Sequence, residues 1–417
     1  MIKLIHTADV HLDSPLKTLA LRDPELQEKV QCASRTAFTR IVDQALEHEV
    51  AAVLIAGDLF DGASRSAKTA AFLLVQLDRL KQVGIRVFYI KGNHDAENPL
   101  TGETKLPDNV HVFDARGGKV QLDGSDVWIH GVSFSGKKAE KSLLEKFSPP
   151  VADAINIGML HTSLNGSASH DVYAPCTVQE LVNTGFDYWA LGHIHKREVH
   201  STAPWIVMPG IPQGRDIGES GPQAATLISI EGDSIKTSEF ATSSIEFTTL
   251  QIEVTALQDP ADLQALAKKA LNELLISLVS DDAIVRVRLH GQSALRWQWL
   301  RDREQLEETF NLLCRDSGRL WMEKLVFDVD DNPVPMADVS ALGELSQIMM
   351  TIGNEDAFNE NAAELVEKVL SVLPPSERNK LRVTETSTKE LVDSLSAQGR
   401  EQLMAVMKAV GEKGGVA

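Results

Sequence analysis

The 417-residue sequence predicts an α/β core of the α+β sandwich type, followed by a small α+β unit and a helical C-terminal region. Three observations predict it. Short β-branched apolar runs alternate with amphipathic stretches over the first 240 residues, a shorter β-α-β-α-β alternation follows from Leu250 to Val329, and the chain beyond Pro335 is helical and polar. A chain of this length exceeds one compact core, so two or three domains are expected.

The elements follow in order. Ile2 to Ala8 reads as a buried strand, and Asp23-Pro24 as an N-cap with proline in the first turn of a helix reaching about His48. Ala51 to Ala56 is the next strand, Ala70, Leu74, Leu77 and Leu80 mark a helix closed by Gly84, and Ile85 to Ile90 is a third strand. Strand-helix-strand units of this kind gather their loops at the carboxyl ends of the strands, where chemistry is expected. Further strands are expected at Val127–Val132, Ile155–His161, Tyr188–Leu191, Trp205–Met208, Ala225–Ile230 and Ser234–Phe240. The small polar residues Thr242-Ser243-Ser244 suggest a boundary, giving domains at 1–242, 243–332 and 333–417. In the second, Leu250, Ile252 and Val254 alternate, Asp259-Pro260 opens a helix with Leu263, Leu266, Ala270, Leu274 and Leu278, and Val285, Val287 and Leu289 alternate again. A helix with Leu306, Phe310 and Leu313 precedes the strand Leu320–Val329. The third region carries apolar stripes at Leu365, Val369 and Val372 and at Leu391, Leu395, Leu403 and Val406, a pattern suited either to a partner or to its own domain.

Composition narrows the classes. With 43% apolar and 24% charged residues the chain is of ordinary globular type. It has no apolar run long enough for a membrane span and no signal-peptide pattern before Ile2, so a cytoplasmic location is expected. Cys32, Cys176 and Cys314 are far apart and form no CxxC pair, which argues against a disulfide framework or a thiolate zinc site. The net charge of −18 gives no region the basic excess of a protein that grips nucleic acid by charge alone. Divalent cations reverse the local sign at an acidic site, so polyanions stay open as partners.

Four segments carry the chemistry: Asp9-Val10-His11, Gly57-Asp58-Leu59-Phe60-Asp61, Gly92-Asn93-His94-Asp95 and Gly192-His193-Ile194-His195, with His161 ending a strand between the last two. Each follows an apolar strand-like run, so all can converge at one sheet edge. Carboxylate, amide and imidazole donors without thiolates suit Mn²⁺, Fe²⁺ or Zn²⁺ in a reactive rather than a structural site. Asp9 and His11 share a side if their segment is extended. Seven ligands with one shared make two sets: Asp9, His11, Asp58 and His195, and Asp58, Asn93, His161 and His193. Any one segment alone reads as a turn or a strand end; their conjunction points to a dinuclear centre. His6, His48, His111, His130, His170, His200 and His290 are read as ordinary structural or surface histidines.

These four segments resemble the signature of calcineurin-type metallophosphoesterases. Leu59-Phe60, and Asp61 followed by Gly62 where phosphoprotein phosphatases carry arginine, are more similar to the DNA-repair exonuclease branch. Tyr188 to Lys196 and His161-Thr162-Ser163 resemble the SbcD-related, YhaO-like proteins. The resemblance covers about residues 1–240. It implies a DNA exonuclease or endonuclease working with two divalent cations, Mn²⁺ foremost, and 3′→5′ polarity. It also implies a coiled-coil SbcC-like ABC-type ATPase docking near residues 335–417, and leaves a homodimer open. His94 is the expected general acid or transition-state stabiliser, with Asp95 fixing its tautomer and orientation. DNA contact is expected at Lys137, Lys138 and Lys141, at Lys196 and Arg197, and at Arg215, with the α+β unit controlling access. The competing readings are a general metallophosphoesterase acting on small nucleotides or phosphoproteins, and a recruitment subunit.

Overall fold

The computed structural model describes residues 1–14, 24–61, 66–97, 105–136, 139–164, 173–330, 341–372 and 388–414. The chain divides into two compact units, Met1–Thr248 with Leu278–Ile284, and Thr249–Ser277 with Val285–Ala417.

In the first unit, β1 (Ile2–Thr7), α1 (Pro24–Glu47), β2 (Ala52–Ala56), α2 (Ala67–Gln82) and β3 (Arg86–Ile90) form the expected alternation. After α3 (Asn93–Glu97) come β4 (Val110–Val112), β5 (Gly118–Gln121), β6 (Val127–Gly131), β7 (Ile155–His161), α4 (Val178–Asn183), β8 (Tyr188–Gly192), β9 (Glu198–Thr202), β10 (Trp205–Met208), β11 (Ala224–Glu231) and β12 (Ser234–Ala241). They build two six-stranded sheets, ordered β12-β11-β1-β2-β3-β4 and β5-β6-β7-β8-β10-β9. β1-β2-β3-β4 and β6-β7-β8-β10 are parallel, in keeping with the buried apolar runs of β1–β3 and β6–β8, while β11, β12, β5 and β9 add antiparallel edges.

Alternation along the strands decides what each face buries. Leu4, Leu54, Phe88 and Ile90 of the first sheet meet Ile129, Ile157, Met159 and Tyr188 of the second, and this inter-sheet core makes the sandwich. On the outer face of the first sheet Ile5, Val53 and Val87 are covered by Phe38 and Ile41 of α1 and by Leu73, Leu77 and Leu80 of α2. Leu160, Trp189, Leu191 and Ile206 pack with Leu181 of α4 on the far side of the second sheet. The buried imidazole of His6 ties the sheets together, with Nδ1 3.0 Å from the Tyr188 hydroxyl and Nε2 2.9 Å from the Leu191 carbonyl. Burial, with a smaller opposing effect of that carbonyl bond, pushes its pKa down to about 3, so it is a neutral structural histidine.

β4, β5, β9, α3 and α4 have no counterpart among the expected elements. The three strands are short and largely unburied edges, so they lack the apolar pattern that announces a strand. Thr242-Ser243-Ser244 is no exposed linker: all three residues are buried, Thr242 Oγ1 donates to Pro212 O, and Ser243 shares a 2.7 Å hydroxyl contact with Ser280.

The second unit is built on a three-stranded sheet in the order β13 (Ile245–Glu253), β14 (Asp282–Gln292) and β15 (Leu320–Asp330). Its helices α5 (Asp262–Ser277), α6 (Arg296–Arg301) and α7 (Arg303–Asp316) bury Leu263, Ala267 and Leu271, Trp299, and Phe310 and Cys314 respectively. Among the described residues three more helices follow: α8 (Ala341–Gly353), α9 (Asp356–Val372) and α10 (Thr388–Gly414). Arg296 of α6 pairs with Glu401 of α10, and Val392, Met404 and Ala405 of α10 are buried. The Leu365, Val369 and Val372 stripe is instead 64–83% exposed. No described helix is long and apolar enough to cross a membrane.

Candidate metal centre

Five loops or strand ends meet at the carboxyl edge of the two parallel strand sets. Asp9 and His11 follow β1, Asp58 and Asp61 follow β2, Asn93 and His94 follow β3, His161 ends β7, and His193 and His195 follow β8. The loop after β1 is laced to the loop after β2 by Asp9 N–H to Gly57 O, His11 N–H to Asp58 O and Leu12 N–H to Leu59 O, each at 3.0 Å. The first segment is therefore not extended. Asp9, His11 and Asp58 have φ of 53°, 43° and 51°, and His193 has 101°, left-handed values that cost L-residues free energy and often mark functional sites. Successive left-handed turns, rather than strand periodicity, bring Asp9 and His11 into one cluster.

The ligand atoms converge in three overlapping groups, Asp9–His11–His195, His11–Asp58–His94 and Asp58–His161–His193, each with its atoms within 4.8 Å of one another. Asn93 joins through Oδ1, 3.1 Å from His161 Nε2. All seven expected ligands thus lie in one neighbourhood. His94, expected to stand apart from the metal sets, lies on their rim.

Backbone N–H groups orient the carboxylates. Asp9 accepts from His193 N–H at 2.9 Å, and Asp58 Oδ1 from His94 N–H at 2.9 Å. His161 Nδ1 sits 3.0 Å from the Ala56 carbonyl, which directs Nε2 toward Asp58 Oδ2 at 3.3 Å. Burial alone would lower the His161 pKa, but the charge and hydrogen bond of Asp58 prevail and raise it to about 9. Asp58 is correspondingly held below the usual carboxylate range: burial opposes its ionisation, and the charge of His161 outweighs that. His193 lies at about 3, lowered first by burial and then by the charge of His161, so its imidazole is neutral with a lone pair to offer.

The residues fit a pair of divalent cations. His11 Nε2 and His195 Nε2 face each other at 3.2 Å, an approach that needs a proton or a cation between the lone pairs. Space is reserved by glycines: a Cβ on Gly92 would stand 2.2 Å from Asp58 Oδ1 and 2.8 Å from His161 Nε2, and one on Gly57 would stand 2.3 Å from His161 Nδ1. The donor chemistry, two carboxylates, four imidazoles and one amide, is that of a hard-to-borderline divalent ion.

The pairing of Asp95 with His94 is corrected. Asp95 is fully buried, and its oxygens accept from Phe60 N–H at 2.9 Å and Gly92 N–H at 3.1 Å. Burial first, and then the charge of Asp58, raise its pKa to about 6. Both residues lie on α3, where neighbours in sequence project about 100° apart. The carboxylate that faces His94 Nδ1 is Asp61, at 3.7 Å.

Of the residues expected to touch DNA, Lys137 and Lys138 lie outside the described residues, as does His170 among the structural histidines. Lys141 and Lys196 are exposed, whereas Arg197 is drawn to Glu239 and Thr226. Arg215 differs from a free surface cation. Its Nη2 is 2.9 Å from Glu219 Oε1 and also 2.9 Å from His195 Nδ1. Glu219 escapes the sequence reading because it sits in a loop 24 residues after His195 with no motif around it. Its pKa is lowered to about 2, since bonds to His195 and Arg215 overcome the effect of burial.

This geometry matches what comparison with known proteins finds. Residues 2–197 match the calcineurin-like phosphoesterase family, so the chain carries a calcineurin-like metallophosphoesterase domain. Residues 247–330 match the middle domain of the metallophosphoesterase YhaO. The YhaO metallophosphoesterase of Bacillus subtilis is 35% identical over 239 residues, covering 56% of this chain and 59% of that protein. The DNA double-strand break repair protein Mre11 of Methanopyrus kandleri is 26% identical over 51% of this chain and 49% of its own length. That of Haloferax volcanii is 23% identical over 88% of this chain and 74% of its own length. The chain thus spans about half to three fifths of the first two relatives.

Proposed function

We propose that this protein is a metal-dependent nuclease that hydrolyses phosphodiester bonds of DNA in double-strand-break repair. The observation that carries the reading is the convergence of Asp9, His11, Asp58, His161, His193 and His195, with Asn93, at the joint edge of two parallel strand sets. Likeness to the Mre11 repair proteins supports DNA as the substrate. Asp9, His11, Asp58 and His195 would hold one divalent cation and Asp58, Asn93, His161 and His193 the other, with Mn²⁺ the favoured ion. Two such ions supply Lewis-acid polarisation of the phosphoryl group and a nucleophilic water at neutral pH.

The chain's own groups do the rest. His94, 38% exposed on the rim, donates a proton from Nε2 to the leaving 3′- or 5′-oxygen. Asp61 faces Nδ1 of that ring and keeps Nε2 available. The neutral imidazole of His193 offers a lone pair without first losing a proton. Removal of nucleotides in the 3′→5′ direction, an SbcC-like coiled-coil ATPase docking near residues 335–417, control of DNA access by the second unit, and a homodimer belong to the same proposal. The exposed stripe Leu365, Val369 and Val372 supports the docking element.

The test is end-labelled linear DNA incubated with purified protein in Mn²⁺, Mg²⁺ or chelator, beside Asp58→Ala. Mn²⁺-dependent shortening that the variant lacks is expected. Turnover of small phosphodiesters alone, with intact DNA, would move the reading to a general metallophosphoesterase.

A further inference from the structure

Beyond the ligands themselves, the segment from β10 to β11 is folded back onto the last ligand. Ile211 N–H donates to the His195 carbonyl at 3.0 Å, and Gly210 turns at φ 79° where a Cβ would stand 2.8 Å from that same carbonyl. The segment then makes a 3₁₀ turn at Ile217–Glu219, started by Asp216, whose side chain accepts from Gly218 N–H. This brings Glu219 Oε1 to 2.6 Å from His195 Nδ1, with the carboxylate 14% exposed. Arg215 closes the other side, its backbone N–H giving 2.7 Å to Glu219 Oε2 and its guanidinium 2.9 Å to Oε1.

We propose that Glu219 is the positioning residue of His195, accepting the Nδ1 proton so that Nε2 is free to offer its lone pair to the cation that Asp9 and His11 would also hold, and that Arg215 holds Glu219 in that pose. The two arrangements of the ring can be told apart. If Nδ1 carries the proton, the 2.6 Å contact is a hydrogen bond to a carboxylate, and the guanidinium, which can only donate, spends its hydrogen on Oε1. If Nε2 carries it, Nδ1 can accept from Arg215 Nη2 at 2.9 Å, but its lone pair then opposes Glu219 Oε1 at the shorter distance of 2.6 Å, and an N–H projects into the space where His11 Nε2 lies at 3.2 Å and Asp9 Oδ1 at 3.9 Å. The second arrangement blocks the site. Metal-bound histidines are commonly held through their other nitrogen by a carboxylate, and losing that partner typically weakens metal affinity by about 10–100-fold.

The inference rests on the two-ion reading, and the experiment separates them. Long-range ¹H–¹⁵N correlation spectra of the full chain without metal report the His195 tautomer, and Mn²⁺ titration by calorimetry reports each ion. Wild type is expected in the Nδ1–H form. Glu219→Ala should shift His195 toward Nε2–H and weaken one Mn²⁺ by about 10–100-fold while sparing the other. Glu219→Gln, whose amide oxygen still accepts, should restore the tautomer and most of the affinity. Glu219→Asp, one methylene short, should behave as Glu219→Ala and serves where alanine does not fold. A folded Glu219→Ala protein that keeps the Nδ1–H form and binds both ions within about twofold of wild type overturns the proposal. Wild type that binds no divalent ion sinks the two-ion reading, while the metal-free tautomer still decides the role of Glu219.

Discussion

Asp61 Oδ1 lies 3.7 Å from Nδ1 of His94, and the same oxygen lies 3.4 Å from Nδ1 of His11. One half-buried carboxylate therefore faces both the imidazole proposed as proton donor on the rim and the buried imidazole of a proposed ligand. Its pKa is lowered because bonding to His11 outweighs the opposing effect of burial. Replacing His94 by Asn should cut kcat by roughly 10²–10⁴-fold and leave Mn²⁺ affinity nearly unchanged. Asp61→Asn should do both kinds of damage at once, a kcat loss of about tenfold or more with a measurable fall in affinity, because it acts on His94 and His11 together. Calorimetry beside DNA cleavage distinguishes them; loss of metal in His94→Asn would show that His94 is a ligand and not the acid.

Gly92 supplies a second expectation. A methyl group there would overlap Asp58 Oδ1 and His161 Nε2 at 2.2 and 2.8 Å, so either that carboxylate or the imidazole must move. Gly92→Ala should abolish tight binding of at least one ion. Gly84→Ala is the control: its φ of 77° is equally left-handed, yet nothing lies within 4 Å of the added carbon. That variant should lose about 1–2 kcal/mol of stability from backbone strain and bind metal normally. Equal metal affinity in the two variants would remove the steric argument.

The legibility of the centre has a physical pattern. β1, β2, β3, β7 and β8 are readable because parallel strands buried on both faces are continuous apolar runs, and a candidate ligand residue ends or follows each. What decides geometry inside the loops was not readable. The left-handed backbone at Asp9, His11, Asp58 and His193 leaves no compositional trace, because such conformations are normally glycine's. Asp95 looked like the partner of His94 by adjacency, but a helical turn sends it to the backbone of Phe60 and Gly92, and Asp61 takes its place. Glu219 depends on a loop folding back over 24 residues, a long-range fact that no local pattern encodes.

The pKa shifts set the pH profile of the metal-free protein. His161 is raised from 6.5 to about 9, so its contribution to stability is fully present below pH 6.5 and is lost as pH rises through about 9. The shift corresponds to on the order of 3 kcal/mol. His6 and His193 lie at about 3, so the unfolded chain binds protons that the folded chain does not, and stability falls as pH drops below 6.5 toward 3. Thermal melts in chelator should therefore peak near pH 6.5 and decline on both sides. With saturating Mn²⁺ the His161 proton is displaced, and the alkaline decline should flatten. A chelated protein whose Tm is level from pH 6.5 to 9 would contradict the His161–Asp58 pair as described.

His6 separates the scaffold from the site. It lies on β1 three residues before Asp9, but its ring is spent on the Tyr188 hydroxyl and the Leu191 carbonyl of the other sheet. His6→Leu keeps an apolar side chain between the sheets while leaving two buried polar atoms without that partner, each costing about 1–3 kcal/mol. The sum, roughly 2–6 kcal/mol, would lower Tm by several degrees or more. Mn²⁺ affinity at a temperature where the variant remains folded should not change, since none of the clustered ligand atoms belongs to His6. The same measurement on His161→Leu should give the reverse emphasis: that ring sits between Asp58 and Asn93, so metal binding fails first. If His6→Leu instead lost metal at full stability, β1 would be transmitting its geometry to Asp9, and the division between a sheet-binding histidine and the ligand set would have to be abandoned.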